Sequence, residues 1–300
     1  FLVVCVAHIG DVLCLMPALH LLRECHPDAK ISVLVPPSLC DFLKRSSAKF
    51  DLIPYDEKDV LLNLKLYLRT NLYDVAYVFW AKRDILLGRA IGSKEIVAFD
   101  LFKKGWCKLL VQSFYKTPEE INLERYFCSL VVEREGSIAA QSLQGLRVSG
   151  AHFFPDFSSP RDKVVILHAV CRSPNRCLPP SYWKAIAKCV QTLGYKVIFT
   201  GNGEAEREFI KRCDPNNWYQ HAVGLYSLDE LARKLHRSTL LVTVDTGVMH
   251  LAKFTGIKIL VLCGGSEPER IAPSRFFDCC WNKQNLAGGG LFCNSFEICM

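Results

Sequence analysis

The chain has 300 residues, half of them hydrophobic, so it is long enough for two domains of ordinary size with substantial cores. Its formal net charge is +7, without a basic tail. That moderate surplus suits a phosphorylated or otherwise anionic ligand better than a nucleic-acid groove, which usually carries a stronger basic stripe. We therefore expect no nucleic-acid partner.

The cysteines and the hydropathy pattern indicate the cellular compartment in which the protein is expected. The 15 cysteines are odd in number and most lie within apolar runs, which favours a reduced, cytoplasmic protein over a secreted disulfide scaffold. The sequence contains no apolar run of about 18 residues, so we expect no membrane-spanning helix. It opens on an apolar strand with no charged leader, so we expect no signal peptide.

The first 35 residues predict a strand, a turn, a helix and a second strand. Residues 1–7 are apolar and rich in β-formers, 12–25 carry apolar residues at helical spacing, and 31–35 form another apolar run. Gly10 and Asp11 occupy the turn, without the G-x-G-x-x-G pattern of dinucleotide dehydrogenases. Asp11 stands at a helix start, where it can serve as a cap or reach a ligand.

The alternation continues through the rest of the first half. We predict strands at 52–55, 75–80 and 96–99, a helix at 59–69, and an amphipathic helix at 118–133 that closes the first domain.

Residues 82–116 combine eight Lys/Arg and three acids with several aromatic residues. Two interpretations remain open. The segment can form a basic, aromatic surface that faces an anionic amphiphile or a membrane. It can equally form a solvated face with its aromatic rings turned inward.

The pattern is lost over 134–162, where Gly, Ser, Pro and Asp dominate from 145 to 160. We place a linker at 153–162, between an N-terminal domain at 1–152 and a C-terminal domain at 163–300. Two alternating halves predict two sheet domains that face each other across a cleft.

The second half repeats the strand–helix alternation. The predicted elements are strands at 164–168 and 196–200 and helices at 182–193, 205–213 and 228–235. Ser227 and Glu230 form a capping-box pattern before the last of these helices. Between the first strand and the first helix lies a polar, basic loop with Arg172, Ser173 and Arg176. Two arginines four residues apart can clamp a diphosphate, or can be solvated.

Residues 240–266 carry the most informative pattern. A strand at 240–244 ends in Asp245-Thr246-Gly247, a helix follows at 248–255, and a second strand at 257–262 ends in Cys263-Gly264-Gly265. Ligands of parallel sheets bind beyond the carboxyl ends of the strands. Asp245 or Thr246 can cap the helix, and backbone N–H groups there attract phosphate. His250 can face the same ligand, or can be a partly buried structural histidine.

The C-terminal tail holds further cysteines, Cys279, Cys280, Cys293 and Cys299. Their spacing fits no zinc pattern with two close pairs, because adjacent cysteines rarely bind one tetrahedral ion. We therefore expect no metal site.

Several of these motifs resemble one family in order along nearly the whole chain. Gly10-Asp11-Val12-Leu13, with Pro17-Ala18-Leu19 after it, is similar to the opening of the bacterial ADP-heptose–lipopolysaccharide heptosyltransferases, glycosyltransferase family 9. The run from Val244 to Ala252 resembles the most specific motif of that family. Further similarity lies in the loop around Arg176 and in the loop Gly264-Gly265-Ser266-Glu267-Pro268.

The resemblance implies an α/β fold of GT-B type, with two Rossmann-like domains, the acceptor side N-terminal and the nucleotide-sugar side C-terminal. It implies inverting transfer of a heptose from ADP-heptose to the lipopolysaccharide inner core, without a cofactor or metal, at the cytoplasmic face of the inner membrane with possible peripheral contact.

The resemblance also implies roles for individual residues. Asp11 would be the general base beside Gly10 on the acceptor side. The donor would be held by Arg172, Ser173, Arg176, Asp245, Thr246, Gly247, His250 and Gly265.

Three positions differ from the family pattern. Cys5 replaces a basic residue before Gly-Asp, Cys171-Arg172 replaces a Ser/Thr pair, and Leu178 replaces the Trp of a Trp-Pro pair. Two alternatives therefore stay open: a GT-B transferase or epimerase that uses another sugar nucleotide, and a non-catalytic nucleotide-sugar-binding protein.

Overall fold

The computed structural model describes most of the chain, in the ranges 1–5, 8–46, 48–56, 73–79, 82–103, 105–119, 122–146, 148, 153–154, 161–263, 268–271, 282–286 and 289–293. The chain divides into two compact units, Phe1–Val148 and Ser149–Met300. Each unit is an α/β domain built on its own sheet. The predicted helix at 59–69 lies outside the described residues.

The first unit is built on a six-stranded parallel sheet. Its strands are β1 (Leu2–Val4), β2 (Ser32–Val35), β3 (Asp51–Pro54), β4 (Tyr73–Val78), β5 (Ser93–Phe99) and β6 (Ser113–Tyr115), in the order β3-β2-β1-β4-β5-β6. β1 is fully buried, as expected for an apolar strand covered on both faces. The order reverses between β1 and β4, so the carboxyl ends of these two strands form the switch point where ligands bind in such sheets.

The described helices of this unit are Ile9–Cys14, Met16–Cys25, Cys40–Leu43, Lys82–Ala90, Cys107–Leu110, Leu123–Glu135 and Ser137–Gly145, with 3₁₀ turns at Pro37–Leu39 and Asp100–Phe102.

The helix predicted at 12–25 is divided in two by Pro17. Pro17 lies in the first turn of Met16–Cys25, where its missing N–H is tolerated, but it cannot continue the hydrogen-bond pattern of the preceding helix. The first helix therefore ends at Cys14. Leu15 is its C-cap, and the Leu15 backbone N–H donates to the Asp11 carbonyl. The outcome is a short first helix that starts at the turn after β1.

The helix predicted at 118–133 begins later and is followed by a helix that the sequence did not indicate. Asn122 caps Leu123–Glu135, since its side chain accepts a hydrogen bond from the Arg125 N–H. Gly136 has φ 69°, a conformation that favours glycine, and it separates this helix from Ser137–Gly145. The expected loss of pattern after residue 134 was therefore wrong over this helix.

The second unit is built on a seven-stranded mixed sheet. Its strands are β7 (Asp162–His168), β8 (Lys196–Gly201), β9 (Gln220–Val223), β10 (Ser238–Thr243), β11 (Lys258–Cys263), β12 (Asn282–Leu286) and β13 (Gly289–Cys293), in the order β12-β13-β11-β10-β7-β8-β9. Strands β7 to β11 are parallel, and β13 and β12 pair antiparallel beyond β11. The switch point lies between β7 and β10.

The described helices of the second unit are Pro180–Thr192, Glu204–Cys213, Leu228–Arg237, Gly247–Ala252 and Pro268–Ile271, with a 3₁₀ turn at Pro174–Arg176. The predicted capping box is confirmed: the Ser227 Oγ accepts from the Glu230 N–H, and the Glu230 carboxylate accepts from the Ser227 N–H.

The core of the second unit forms where helices cover the sheet. Trp183 is fully buried among strand residues such as Val165, Leu167 and Phe199. Across the parts of the chain that the structure describes, no helix combines the length and the apolar character that crossing a bilayer requires.

The residues placed in the predicted linker lie only partly within the described ranges. Phe153 packs edge-on against Phe254 at 4.9 Å between ring centroids, and Phe154 stacks on His236 at 4.4 Å. Arg161 donates to the backbone carbonyls of His236 and Ser238. These contacts fasten the described part of the segment to the second unit.

Candidate functional site

The turn after β10 is organised by Thr246. Its backbone is extended, and its Oγ1 accepts hydrogen bonds from the N–H groups of Val248 at 3.2 Å and Met249 at 3.3 Å. Thr246 is thus the N-cap of the helix Gly247–Ala252. Of the two capping candidates, the threonine takes this position, and Asp245 makes a different contact.

Asp245 pairs with Arg176 from the loop after β7. The Arg176 Nη1 lies 2.9 Å from the Asp245 Oδ2, and the side chains are 43% and 7% exposed respectively. The carboxylate is therefore largely withdrawn from water, while the guanidinium still reaches solvent. Because Asp245 follows β10 and Arg176 follows β7, this ion pair lies at the switch point of the sheet.

His250 lies beside the same carboxylate. Its Nε2 is 4.0 Å from the Asp245 Oδ1, and the side chain is buried. Burial, followed by the positive charges of Lys253 and Arg176, lowers the pKa of His250 well below its usual value. The imidazole is therefore neutral at physiological pH and can act as a hydrogen-bonding group.

The other predicted donor residues have different surroundings. Arg172 is exposed and Ser173 is half-buried on the loop that carries Arg176. The Ser173 hydroxyl donates to the Asn175 side chain, and the Arg176 N–H donates to the Ser173 carbonyl at 3.0 Å, so this loop is a compact turn. Gly265 lies outside the described residues.

A set of polar contacts among the strand ends of the second sheet was not anticipated from the sequence. The Nδ1 of His168, at the end of β7, lies 3.1 Å from the Thr200 Oγ1, and the Thr243 Oγ1 donates to the His168 carbonyl at 3.1 Å. The signal was available, since His168 and Thr243 are the last residues of β7 and β10, and Thr200 is the last but one of the neighbouring β8. These contacts link the carboxyl ends of β7, β8 and β10, and the residues of the ion pair follow β7 and β10.

In the first unit, Asp11 is a capping residue. It is the third residue of the helix Ile9–Cys14, and its Oδ2 accepts the backbone N–H of His8 at 3.1 Å. Gly10 is half-buried within the same first turn. The cap holds the carboxylate at the carboxyl end of β1, on the switch point of the first sheet.

Asp84 is a second acid at this edge that sequence reasoning missed. It lies in the first turn of Lys82–Ala90, after β4, and is fully buried with its Oδ1 3.6 Å from the Arg83 Nε. Burial, followed by the negative charges of Asp84 and Asp11, raises the pKa of Cys5 well above its usual value. The sequence signal that could have found Asp84 is an acidic residue in the first turn of the helix that follows β4.

In the basic, aromatic segment 82–116, some of the large apolar side chains are buried and others are exposed, so each interpretation holds for part of it. Phe99 is buried in the core, whereas Trp106 is 42% and Leu109 82% exposed. Several basic residues have structural contacts: Arg89 donates to the carbonyls of Ser93 and Leu110, for example. Within the described part of this segment, exposed large apolar side chains are Leu86, Leu101, Trp106 and Leu109, and the last three lie close together in sequence.

The family assignment follows from a comparison with known proteins. The profile of glycosyltransferase family 9 (heptosyltransferase) matches residues 86–286 of this chain. The chain belongs to this family. The match includes both the loop of Arg176 and the turn of Asp245.

Curated relatives agree with this assignment over part of their length. Lipopolysaccharide heptosyltransferase 1 of Salmonella typhimurium is 27% identical over 188 residues, 59% of this chain and 58% of the relative. The protein of that name from Escherichia coli K12 is 25% identical over 167 residues, 53% of this chain and 51% of the relative. The aligned region thus spans somewhat more than half the length of these relatives.

Solved structures show the same fold. A glycosyltransferase family 9 protein from Veillonella parvula has a TM-score of 0.75 at 20% identity, covering 91% of this chain and 84% of its own. The E. coli heptosyltransferase WaaC with ADP has a TM-score of 0.74 at 17% identity, covering 90% and 89%. E. coli ADP-heptose lps heptosyltransferase II has a TM-score of 0.69 at 21% identity, covering 92% and 88%. The predicted α/β fold of GT-B type is confirmed.

The buried His168 makes stability dependent on pH. Burial lowers its pKa to about 4, partly offset by the bond to Thr200. Between that value and the ordinary pKa of about 6.5, the unfolded chain binds a proton that the native protein excludes. The associated stability is full above about pH 6.5 and is lost as the pH falls toward 4.

We expect His168→Asn, whose amide can replace the bond to Thr200, to remove this dependence. Between pH 7 and pH 5 the variant should lose about 2 kcal/mol less unfolding free energy than the wild type. Urea unfolding at each pH measures the difference. An identical loss in both proteins would contradict the assignment of this proton to His168.

Proposed function

We propose that the chain transfers a heptose from ADP-heptose to a hydroxyl group of the lipopolysaccharide inner core, with inversion at the anomeric carbon. The observation that carries the proposal is the Arg176–Asp245 ion pair at the switch point of the second sheet. Family membership supports the class of reaction, since relatives are lipopolysaccharide heptosyltransferases and a structural neighbour was solved with ADP.

The leaving group determines what the second unit has to supply. As the bond between the anomeric carbon and the phosphate oxygen breaks, negative charge develops on the diphosphate of ADP. An arginine stabilises such charge well because its planar guanidinium presents several N–H donors at once. Arg176 uses Nη1 for Asp245 and remains 43% exposed, so part of its donor set faces solvent, where a diphosphate can bind. Arg172, on the same loop, is the accompanying donor, and the Ser173 hydroxyl joins it by exchanging its bond to Asn175 for one to the diphosphate.

Asp245 has two roles in this proposal. Its buried carboxylate orients Arg176, and carboxylate oxygens accept hydrogen bonds from the hydroxyl groups of a sugar. The neutral His250 beside it supplies one further donor or acceptor without adding charge. Thr246 and Gly247 contribute backbone groups at the same turn. Because Arg176 supplies the positive charge, the proposed reaction uses neither a metal ion nor a cofactor.

Asp11 is the proposed general base on the acceptor side. The acceptor hydroxyl attacks the anomeric carbon, its proton passes to the Asp11 carboxylate, and ADP leaves from the opposite face. A single displacement of this kind inverts the configuration. The hydrogen bond from the His8 N–H holds the carboxylate in position for proton transfer. Gly10, which has no side chain, precedes Asp11 in the first turn of the same helix.

Peripheral contact with the inner membrane stays a prediction. The described residues that fit it are the exposed Leu101, Trp106 and Leu109, with the exposed Lys103 and Lys108 close to them in sequence. Exposed apolar and basic side chains together suit an interface with anionic lipid.

The base assignment predicts the behaviour of Asp11→Asn. The asparagine oxygen can still accept the His8 N–H, so the fold is retained, but the amide cannot take up a proton. We expect the rate of ADP release from ADP-heptose and acceptor to fall by about 10²- to 10⁴-fold, with the affinity for ADP unchanged. A rate close to that of the wild type would remove Asp11 from the mechanism.

The diphosphate assignment predicts a loss of ADP affinity in Arg176→Ala. A hydrogen bond to a charged group is worth about 1.5–3 kcal/mol, so the Kd should rise by about 10- to 100-fold. Arg212→Ala is the matched control, because it also removes a guanidinium group but from a different element. Arg212 lies on the helix Glu204–Cys213, over the Phe209 ring. Calorimetric titration of ADP into both variants measures the effect, and equal affinities would refute the assignment.

A further inference from the structure

Two cysteines flank the loop that carries the proposed diphosphate-binding residues. The Sγ atoms of Cys171 and Cys177 lie 3.6 Å apart, and both residues are reduced and half-buried. Other cysteines of the described chain, such as Cys5, Cys128 and Cys213, are buried, where a dissolved oxidant cannot reach them. The pair is thus both close together and accessible.

The fold of the loop brings these two residues together. The 3₁₀ turn Pro174–Arg176 reverses the chain, and the Cys171 N–H donates to the Cys177 Sγ at 3.5 Å. The Cys171 Sγ also lies 3.1 Å from the Ser173 carbonyl oxygen. Since a disulfide has an S–S length of about 2.05 Å, the sulfur atoms need to approach by less than about 2 Å to bond.

We propose that Cys171 and Cys177 are a thiol–disulfide modification site that controls the loop bearing Arg176. Its co-reactant is a small-molecule disulfide. Oxidation joins the two ends of the loop, and reduction by a small thiol releases them.

The exchange balances as two displacements. One of the two thiols loses its proton and attacks one sulfur of the small disulfide, which releases one thiol and leaves a mixed disulfide on that cysteine. The second cysteine then loses its proton, and its sulfur displaces the other small thiol, forming the Cys171–Cys177 bond. Two protein thiols are oxidised, and one small disulfide is reduced to two thiols.

Burial, together with the hydrogen bond to Cys177, raises the pKa of Cys171. The two sulfur atoms lie 3.6 Å apart, so a mixed disulfide formed on either of them has the second thiol beside it.

The consequence for the loop rests on the proposed function. Arg176 immediately precedes Cys177, so contraction of the S–S distance displaces the residue that pairs with Asp245. A donor moved by even about 1 Å from its working position loses much of its effect. We expect the oxidised protein to bind ADP about tenfold more weakly than the reduced protein.

Peptide mapping tests the modification site independently of ADP. The native chain is incubated with oxidised glutathione, the remaining thiols are alkylated, and the protein is digested with trypsin without reduction. Cleavage after Lys163, Arg172, Arg176 and Lys184 places the two cysteines on separate peptides, 164–172 and 177–184. A disulfide keeps these peptides linked, and reduction separates them.

The variants identify the sulfur atoms. We expect the linked peptide from the wild type and from Cys189→Ser, whose exposed cysteine lies on the helix Pro180–Thr192, but not from Cys171→Ser or Cys177→Ser. Circular dichroism of each variant confirms folding. If the wild type yields no linked peptide, the proposed site is wrong.

The ADP titration tests the coupling. The oxidised wild type should lose about tenfold in affinity and recover it on reduction, while Cys177→Ser should respond to neither treatment. A linked peptide with unchanged ADP affinity would overturn the control of the loop. Failure of the reduced protein to bind ADP would instead contradict the proposed function, and would leave the mapping result unaffected.

Discussion

The candidate donor site depends on one ion pair between the 3₁₀ turn Pro174–Arg176 and the turn that follows β10. Asp245 is 7% exposed, and burying a carboxylate is costly unless a partner compensates its charge. Arg176 supplies that charge at 2.9 Å, so the carboxylate positions the arginine and the arginine permits the burial. The same positive charge helps to keep His250 neutral. A change in either partner should therefore affect both stability and ligand binding.

The strand order makes this pair possible. β7 and β10 are far apart in sequence but adjacent in the sheet, with Thr243 in register with His168, so the segments that follow them meet. The first sheet has the same arrangement. Its strands β1 and β4 are adjacent, and Asp11 and Asp84 lie in the helices that follow them. In both units the functional candidates lie where the strand order reverses, as expected for open parallel sheets.

Local patterns predicted much of this arrangement. Residues close in sequence determine three of these features: the α/β alternation, the turn at 245–247 and the capping box at Ser227. They act through the periodicity of hydrophobic residues and through helix capping. Contacts between distant segments were not accessible in this way, which is why the partner of Arg176 and the burial of Asp84 required the structure. The division of the first predicted helix at Pro17 was readable from the sequence, because a proline inside a helical pattern removes a donor.

The most direct test of the account is the thermal shift produced by ADP, AMP and UDP at the same concentration. A ligand that binds only the native state stabilises it by about 2.7 kcal/mol at a hundredfold excess over its Kd. If the Arg176–Asp245 pair forms a diphosphate site for an adenine nucleotide, ADP should raise the Tm clearly more than AMP or UDP does. A shift with UDP equal to that with ADP, or no shift with any of the three nucleotides, would contradict the account.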